Sequence, residues 1–339
     1  MTDSLKQLCL LNGISGREDD VRKYIVDKLE SFTDCSYRVD ALGNVIVEKK
    51  GKKTPEKRIM IDAHMDEVGL IVTHITDDGF IRFSSVGGIE TGILLGKRVA
   101  VNSLNGVIGV KPIHLLDKEN AKKISDEKEL YIDIGAETKA DAEKYVRPGD
   151  SVYFVSEFYE FGDGLIKAKA IDDRLGCALL LDLLEKESEY DFVATFSTQE
   201  EIGTRGASVL VSQVRPDYAI VLETTTACDL DGIDESKKVC KLGNGPVVSF
   251  MDRGTIYDRD LYNKAFEVAS ENNIPIQTKS LVAGGNNASA IHQSFGGVKT
   301  LAISVACRYL HSPSCVISSK DIKPTYELLN KMIGCLCND

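Results

Sequence analysis

The chain of 339 residues is 43% hydrophobic and 27% charged, a composition typical of a folded globular protein with room for two domains. Its net charge of −11 argues against a nucleic-acid binder and against binding to an anionic membrane surface, because both need clustered Lys and Arg. The sequence contains no apolar run of about 18 residues, so we expect no membrane span. Nine scattered cysteines without a CxxC pair, and the lack of an export signal, predict a reduced, cytoplasmic protein.

The first part of the chain combines a helix with strands. Residues 18–32 place apolar side chains at helical spacing, and residues 44–47 and 58–63 have the composition of strands. From about 70 to 162, short β-rich runs are separated by turn residues, as is typical of hairpins. The segment 117–146 is highly charged, and we expect it to be an exposed helix or loop.

From residue 163 onwards, strands and helices alternate again. In chain order, the sequence predicts a strand at LIKAKAI, a helix at 174–187, a strand at FVATFST, a helix near 205–213, a strand at YAIVLE, a helix at 258–272, a strand at TLAISVA and a C-terminal helix at 321–337. Such alternation predicts an α/β fold with a mostly parallel, mixed sheet and helices on both faces. We expect one α/β domain, residues 1–69 and 163–339, interrupted by a small all-β, barrel-like insertion domain, residues 70–162.

Histidines and carboxylates stand at the ends of five predicted strands. They are His64 and Asp66, Asp172 and Asp173, Glu200 and Glu201, Glu223, and His311. In an open parallel sheet, ligands bind in the crevice outside the carboxyl ends of the strands, so these clusters should meet in one crevice. One such cluster would be an ordinary solvated strand end, whereas five clusters of ligand-type residues indicate a shared site.

The residue types indicate a metal site. Two histidines and several carboxylates, without cysteine, form a nitrogen and oxygen ligand set that suits zinc, cobalt or manganese. Two ions about 3.5–4 Å apart need a bridging carboxylate and can generate a nucleophilic hydroxide at neutral pH. If each ion takes one histidine and one further carboxylate, one aspartate remains to bridge them.

Four motifs resemble one enzyme family, in that family's order along the chain. They are HMDEVG at 64–69, AIDDRLGC at 170–177, TQEEIGTRGA at 198–207 and RYLHSP at 308–313, and LNGISGREDDVR at 11–22 is also similar to the family's N-terminal signature. The family is that of the dinuclear metallo-aminopeptidases of family forty-two, which includes tetrahedral, deblocking and glutamyl aminopeptidases, some of them labelled endoglucanase. The resemblance implies a hydrolase that removes N-terminal residues from peptides, an interrupting small β domain, and dimers that assemble into hollow dodecamers.

The resemblance also implies a cofactor, namely two divalent metal ions per subunit, zinc or cobalt first and manganese as an alternative. The implied ligands are His64 and Glu223 for one ion, Glu201 and His311 for the other, and Asp172 as the bridge.

Two further residues receive roles from the resemblance. Glu200 would be the general base, taking a proton from the metal-bridging water and passing it to the leaving amine. Asp66 would accept the free ring N–H of His64 and so fix its tautomer. Adjacent glutamates cannot both face a site from a regular strand, so the strand must end before them.

The family tends to have a cis peptide after its bridging residue, here between Asp172 and Asp173, and Asp173 itself is expected to cap the following helix.

Some positions depart from the family or carry no role. Many members have Asp where this chain has Glu223, and Asn286 and Asn287 replace Thr and Asp of the usual Gly-Thr-Asp-Ala, which removes a carboxylate near the expected substrate pocket. Asp62 and Glu67 are expected to be ordinary strand-end or loop charges. The remaining histidines are expected to be structural: His74, His114 and His292.

Two other functions remain open from the sequence. A glycoside hydrolase also uses paired carboxylates, but it does not need histidines or a bridging aspartate, and the chain has no Trp to stack on sugar rings. A non-catalytic assembly subunit is the second alternative, against which the intact base position Glu200 argues. The sequence does not decide whether acidic, basic or aliphatic N-terminal residues are preferred.

Overall fold

The computed structural model describes residues 2–115 and 123–338. Within these residues the strands form an eight-stranded sheet, a closed six-stranded barrel and a three-stranded sheet. The helices are α1 (Thr2–Leu10), α2 (Asp19–Leu29), α3 (Thr91–Leu94), α4 (Lys139–Ala142), α5 (Ile171–Glu185), α6 (Arg205–Val214), α7 (Arg259–Glu271), α8 (Ala288–Ile291) and α9 (Ser319–Leu336). Short 3-10 turns lie at Ile113–Leu115, Glu127–Glu129 and Glu235–Lys237.

The strands are β1 (Cys35–Val39), β2 (Val45–Lys49), β3 (Ile59–His64), β4 (Gly69–Ile75), β5 (Ile81–Val86), β6 (Arg98–Val101), β7 (Leu104–Gly109), β8 (Tyr131–Asp133), β9 (Ser151–Phe154), β10 (Tyr159–Phe161), β11 (Leu165–Ala168), β12 (Phe192–Ser197), β13 (Tyr218–Thr226), β14 (Val247–Val248), β15 (Gln277–Thr278), β16 (Lys299–Cys307) and β17 (Cys315–Ser318). None of the helices in the described part of the chain has the length of apolar surface that a bilayer crossing needs.

The large sheet has the order β1-β2-β12-β3-β13-β16-β14-β15. Its centre, β12-β3-β13-β16, is parallel, whereas β2 and β14 join this centre antiparallel. Alternate residues of β3 pack on opposite faces: Ile59 and Ile61 contact the core under α1, α5 and α9, and Met60 contacts the core under α6 and α8. The predicted mostly parallel, mixed sheet with helices on both faces is therefore confirmed, because the central strands are buried on both sides.

The insertion forms a closed antiparallel barrel in the order β4-β5-β8-β7-β6-β9, which leaves no exposed edge strand. Its interior is apolar and includes Leu70, Val99 and Ile132. The chain enters the barrel at Gly69, where an added Cβ would overlap the side chain of Ile14. Glycine is therefore required at this entry point by close packing.

One expectation for the insertion is wrong in part. Of the segment 117–146, residues 117–122 lie outside the described residues, but Tyr131–Asp133 forms a barrel strand rather than an exposed helix or loop. Ile132 is fully buried and pairs with both β5 and β7. A three-residue strand contains a single buried position, so its alternation is too short to stand out among charged neighbours.

A second expectation fails at β11, which does not belong to the large sheet. It pairs antiparallel with β10 and β17 in the separate three-stranded sheet. We expected Asp172 to follow the carboxyl end of a strand in the large sheet. It does not, because β11 lies in the smaller sheet. The composition of a strand does not reveal which partner strands it joins.

Candidate metal centre

The predicted site residues come together in one cleft of about 370 Å³. His64 is the last residue of β3, and Glu223 lies within β13, which continues to Thr226. The remaining residues come from segments that follow strands. Glu200 and Glu201 lie in the turn after β12, His311 in the loop after β16, and Asp172 at the start of α5. The residues that share this lining are His64, Asp172, Glu200, Glu201, Glu223 and His311.

Asp172 lies between two pairs, each made of a histidine and a glutamate. Its Oδ1 is 3.5 Å from Nε2 of His64, and its Oδ2 is 3.4 Å from Nε2 of His311. Oε2 of Glu223 lies 3.8 Å from the first histidine nitrogen, and Oε2 of Glu201 lies 3.4 Å from the second. The two oxygens of one carboxylate thus face two separate nitrogen and oxygen groups, as a bridging ligand would.

Buried carboxylates outnumber the histidines around this cleft. Among the described residues, Asp172 Oδ1 and Glu223 Oε1 are buried without a hydrogen-bond partner. Burial raises the pKa of Glu223 well above its usual range, and the nearby charges of Asp173, Asp172 and Glu200 raise it further, against the effect of His64. Unpartnered buried oxygens that repel one another are a donor set that fits divalent cations. The residues present therefore fit the implied metal ions.

The two histidine rings are oriented by backbone carbonyls. Nδ1 of His64 lies 3.1 Å from the carbonyl oxygen of Asp66, and Nδ1 of His311 lies 2.8 Å from the carbonyl oxygen of Gly88. In both cases Nε2 is left facing the carboxylates. Burial lowers the pKa of His311, but Asp172 and Glu201 outweigh it and leave the pKa at about 10. Gly88 comes from the barrel insertion, between β5 and α3, and no side-chain pattern could have predicted it.

Asp66 holds the turn that carries the two adjacent glutamates. Its carboxylate accepts hydrogen bonds from the backbone N–H of Glu200 at 2.9 Å and of Glu201 at 3.1 Å, and from the hydroxyl of Ser15 at 2.6 Å. The carboxylate is 3.4 Å from Nδ1 of His64, farther than the residue's own carbonyl oxygen. Burial raises the pKa of Asp66, but His64 and these donors outweigh it and lower the pKa overall. The resemblance implied that the carboxylate of Asp66 accepts the ring N–H of His64, whereas the nearer acceptor is the backbone carbonyl of Asp66. The contacts of the carboxylate with the glutamate turn were not predicted.

Glu200 and Glu201 both line the cleft because β12 ends at Ser197, before them, as expected. Gln199 has a positive φ of 55°, and the N–H of Gly203 donates to the carbonyl of Glu200 at 2.8 Å, which closes a turn. Burial raises the pKa of Glu200 to about 7, and the nearby Asp66 and Asp172 charges act in the same direction against the two histidines. A carboxyl group with this pKa can accept and release protons near neutral pH.

The backbone angles of Asp172 and Asp173 are not helical, so the regular part of α5 begins after them. Asp173 caps this regular part as predicted, because the N–H of Gly176 donates to its Oδ1 at 3.0 Å. It also accepts the backbone N–H of His64 at 3.3 Å, so it braces the strand end that carries this histidine. The peptide bond between Asp172 and Asp173 is cis, as the family resemblance implied. His74, His114 and His292 are not among the residues that line the cleft.

Asp62 lies near the end of β3 and Glu67 lies in the loop after it, but they are not the ordinary charges that the sequence suggested, since both are buried. Oε1 of Glu67 lies 2.6 Å from the ammonium of Lys169. Asp62 accepts hydrogen bonds from Thr195 at 2.6 Å and from the side-chain amide of Asn287 at 2.7 Å. A buried ion pair and a buried hydrogen-bond network both require a distant partner that local sequence does not show.

The two asparagines of the GGNNAS segment lie in different places. Asn286 lines the cleft, but Asn287 is fully buried and bonded to Asp62 and to Ser197 at 2.8 Å. The position at which the family carries a carboxylate is therefore buried here against polar side chains of β3 and β12, and not near the expected substrate pocket, contrary to our expectation.

Comparison with known proteins identifies the family. Residues 43–328 match the family model described as M42 glutamyl aminopeptidase. The chain belongs to the M42 peptidase family. Its relatives include a putative aminopeptidase of Acetivibrio thermocellus, 37% identical over 98% of both chains. Others are the lysyl aminopeptidase of Pyrococcus furiosus, 32% identical over 97% of this chain and 95% of the relative, and the glutamyl aminopeptidase of Lactococcus lactis, 31% identical over 98% and 96%.

Several solved structures share the fold over nearly the whole chain. The TET aminopeptidase of the Thaumarchaeota archaeon SCGC AB-539-E09 is 33% identical, covers 98% of this chain and 95% of its own, and has a TM-score of 0.93. The TET1 peptidase of Pyrococcus horikoshii, described as assembling into a tetrahedron or an octahedral shell, is 36% identical over 98% of both chains with a TM-score of 0.85. A Thermotoga maritima protein described as an endoglucanase is 36% identical over 98% of both chains, with a TM-score of 0.81. This M42 chain is accordingly a peptide hydrolase of the aminopeptidase type.

Proposed function

We propose that this M42 protein is a metal-dependent aminopeptidase that hydrolyses N-terminal residues from peptides and holds two divalent ions per subunit, zinc or cobalt first and manganese as the alternative. The observation that carries the proposal is the position of Asp172, whose two oxygens face two separate histidines. His64 with Glu223 would hold one ion, and His311 with Glu201 the other. When bound, the ions would polarise the scissile carbonyl and lower the pKa of a water molecule.

The residues of the chain supply proton transfer and orientation. Glu200 takes a proton from the attacking water and gives it to the leaving amine, and its place in the lining of the cleft beside Asp172 suits both steps. Asp66 keeps Glu200 aimed at the cleft through the backbone hydrogen bond at 2.9 Å. Asp66 is thus a positioning residue, and Glu200 is the catalytic one.

The arrangement of the chain supports a two-domain enzyme that assembles. Residues 1–69 and 163–339 would form the catalytic domain, and residues 70–162 the insertion, with roles in assembly and substrate access. In support, the carbonyl of Gly88 in the insertion contacts His311 in the cleft, and the related TET1 peptidase is described as assembling into a tetrahedron or an octahedral shell. A dimer-based dodecamer in the cytoplasm is the corresponding cellular form.

A chelator experiment tests the proposal. The enzyme is stripped of metal, assayed with a panel of aminoacyl p-nitroanilides and with soluble cellulose, and then reconstituted separately with zinc, cobalt and manganese. Peptidase activity should vanish on stripping and return with at least one ion. Cellulose hydrolysis that survives chelation would favour a glycoside hydrolase, and intact metal binding without any turnover would favour a non-catalytic assembly subunit.

A further inference from the structure

A buried glutamate stands within the N-terminal motif LNGISGREDDVR, residues 11–22. Glu18 has 2% of its surface exposed and directly precedes α2, which begins at Asp19. A residue in this N-cap position commonly uses its side chain to accept the first free N–H groups of the helix. Glu18 makes no such bond to α2, so its carboxylate is available to bind another part of the chain.

The carboxylate of Glu18 joins the N-terminal loop to the glutamate turn. Its Oε1 accepts the backbone N–H of Gly16 at 2.7 Å and that of Gln199 at 3.0 Å. The first bond lies within the N-terminal loop, whereas the second spans 181 positions of the sequence. Gln199, with its positive φ of 55°, opens the turn directly before Glu200. Glu18 therefore holds the residue from which the turn departs.

Three consecutive backbone N–H groups of the turn donate to buried carboxylates. The N–H of Gln199 donates to Glu18, and those of Glu200 and Glu201 donate to Asp66 at 2.9 Å and 3.1 Å. Glu18 is 2% exposed and Asp66 is fully buried. A buried N–H group that loses its acceptor is costly, so each of these contacts restrains the turn. The turn is thus held by two carboxylates, one of which, Asp66, already has a positioning role.

The N-terminal loop is itself attached to the segments around the cleft. The N–H of Glu67 donates to the carbonyl of Gly13 at 2.9 Å, and the N–H of Gly13 donates to Oε1 of Glu67 at 3.1 Å. The guanidinium of the fully buried Arg174 also donates to the carbonyl of Gly13, at 3.4 Å. On the other side of Glu18 in the chain, α2 buries three apolar side chains in the core. Because the loop and the helix are both held, Glu18 can restrain the turn rather than follow its movements.

Glu18 can influence the reaction only through the turn. It is not among the residues that line the cleft, so we expect no contact with the substrate. Of the described residues, those grouped closely enough to hold a metal ion do not include it either. Burial raises the pKa of Glu18 to about 7, but Oε1 accepts these N–H groups whether or not Oε2 carries a proton. Since proton transfer requires Glu200 within hydrogen-bond reach of the attacking water, a shifted turn would slow the reaction without removing any reacting group.

We propose that Glu18 is a positioning residue for the reaction: by accepting the N–H of Gln199, it keeps Glu200 at its working place in the cleft. The inference rests on the proposed aminopeptidase function and assigns the N-terminal motif a role within it. Glu18→Ala leaves the N–H of Gln199 without its acceptor, so kcat of the metal-loaded enzyme should fall about 10- to 100-fold. KM and metal content should stay near those of the wild type, because the contacts with substrate and metal are kept.

A graded set of variants, assayed with an aminoacyl p-nitroanilide, separates position from charge. Glu18→Gln keeps an acceptor oxygen at the same reach, so kcat should stay within about fivefold of the wild type. Glu18→Asp keeps the carboxylate but shortens the side chain by one methylene, so kcat should fall further than in Glu18→Gln. A larger loss in Glu18→Gln than in Glu18→Asp would overturn the proposal, because charge would then matter more than reach. Both replacements are mild, so this comparison remains decisive if Glu18→Ala fails to fold.

Asp321→Ala is the matched control for the loss of a buried carboxylate. Asp321 also accepts two backbone N–H groups, from Gly243 and Gly245, each at 2.7 Å, and none of these three residues lines the cleft. Its replacement should lower the free energy of unfolding in urea but leave kcat of the folded enzyme unchanged. An equal fall of kcat in Asp321→Ala and Glu18→Ala would reduce Glu18 to a general structural support and overturn the proposal.

The Glu200→Gln enzyme supplies a readout that a structural role would not move. Without the base there is nothing left to position, so adding Glu18→Ala should lower the residual kcat by less than about threefold. The same fold-loss in both backgrounds would overturn the proposal, and so would wild-type kcat in folded Glu18→Ala. The absence of hydrolysis for every aminoacyl p-nitroanilide in the wild-type enzyme would instead refute the proposed function itself.

Discussion

Replacing Asp66 by Asn tests whether the site depends on how the glutamate turn is held. In the structure, Oδ1 of Asp66 accepts the N–H of Glu200, and Oδ2 accepts the N–H of Glu201 and the hydroxyl of Ser15. An amide has only one oxygen. Whichever way it is turned, one of the two backbone N–H groups must face an NH₂ group and lose its acceptor.

The size of the effect follows from these contacts. A buried donor left without an acceptor costs about 1–3 kcal/mol, and hydrogen bonds to a charged group contribute about 1.5–3 kcal/mol. If about 3 kcal/mol is lost from the orientation of Glu200 in the transition state, kcat falls about 150-fold. Ser15→Ala is the matched control, because it removes the hydroxyl bond and leaves both backbone contacts, so kcat should fall by no more than about fivefold.

The assay is kcat at saturating substrate for both variants, together with metal content by atomic absorption and folding by circular dichroism. The reasoning predicts that Asp66→Asn retains its fold and two metal ions but turns over slowly. Wild-type kcat in Asp66→Asn would refute the reasoning. So would a loss that follows metal content alone, since Asp66 would then act only through His64.

Three further predictions follow from the site and the core. Glu200→Gln should lower kcat about 10²- to 10⁴-fold with metal content unchanged, and near-normal turnover would exclude Glu200 as the base. Gly69→Ala should lower the free energy of unfolding, measured in urea, by about 1–3 kcal/mol because the added Cβ overpacks against Ile14. Gly334→Ala is the control: its added Cβ has nothing within 4 Å, so the free energy of unfolding should rise by about 0.5–1 kcal/mol. Equal effects of the two substitutions would contradict the packing explanation. Asn287→Asp would place a second carboxylate beside Asp62, whose pKa burial already raises from 3.8 to about 6. A carboxyl group with a raised pKa binds its proton more tightly in the folded state, so the free energy of unfolding falls as pH rises from 3.8 to about 6. The melting temperature of Asn287→Asp, relative to that of the wild type, should therefore be lower at pH 8 than at pH 5. A difference in melting temperature that does not depend on pH would contradict this prediction.

Much of the fold could be predicted because apolar periodicity reflects burial. The sequence predicts a helix at 258–272, and α7 spans Arg259–Glu271, with Asp258 accepting the N–H groups of residues 260 and 261 as its cap. Strand pairing was less accessible, since β11 has the composition of a central strand but joins a small antiparallel sheet. Strand composition records burial, whereas the choice of partner strand depends on the whole chain.

The candidate site divides in the same way. His64, Asp172 and His311 could be identified from residue type and position, and the structure places Nε2 of His64 and Nε2 of His311 at 3.5 Å and 3.4 Å from the carboxylate of Asp172. The groups that orient the two histidine rings could not be predicted from the sequence, because they are backbone atoms such as the carbonyl of Gly88.

The contact between Gly88 and His311 has a consequence for protein engineering. Because a carbonyl of the inserted barrel contacts the ring of His311 in the proposed metal centre, the barrel is not a passive module that can be deleted or exchanged at will. A chimaera that receives another member's barrel must also receive a loop that delivers a carbonyl to the same point. Barrel exchanges designed only to change assembly should therefore keep the segment around Gly88 from the recipient enzyme.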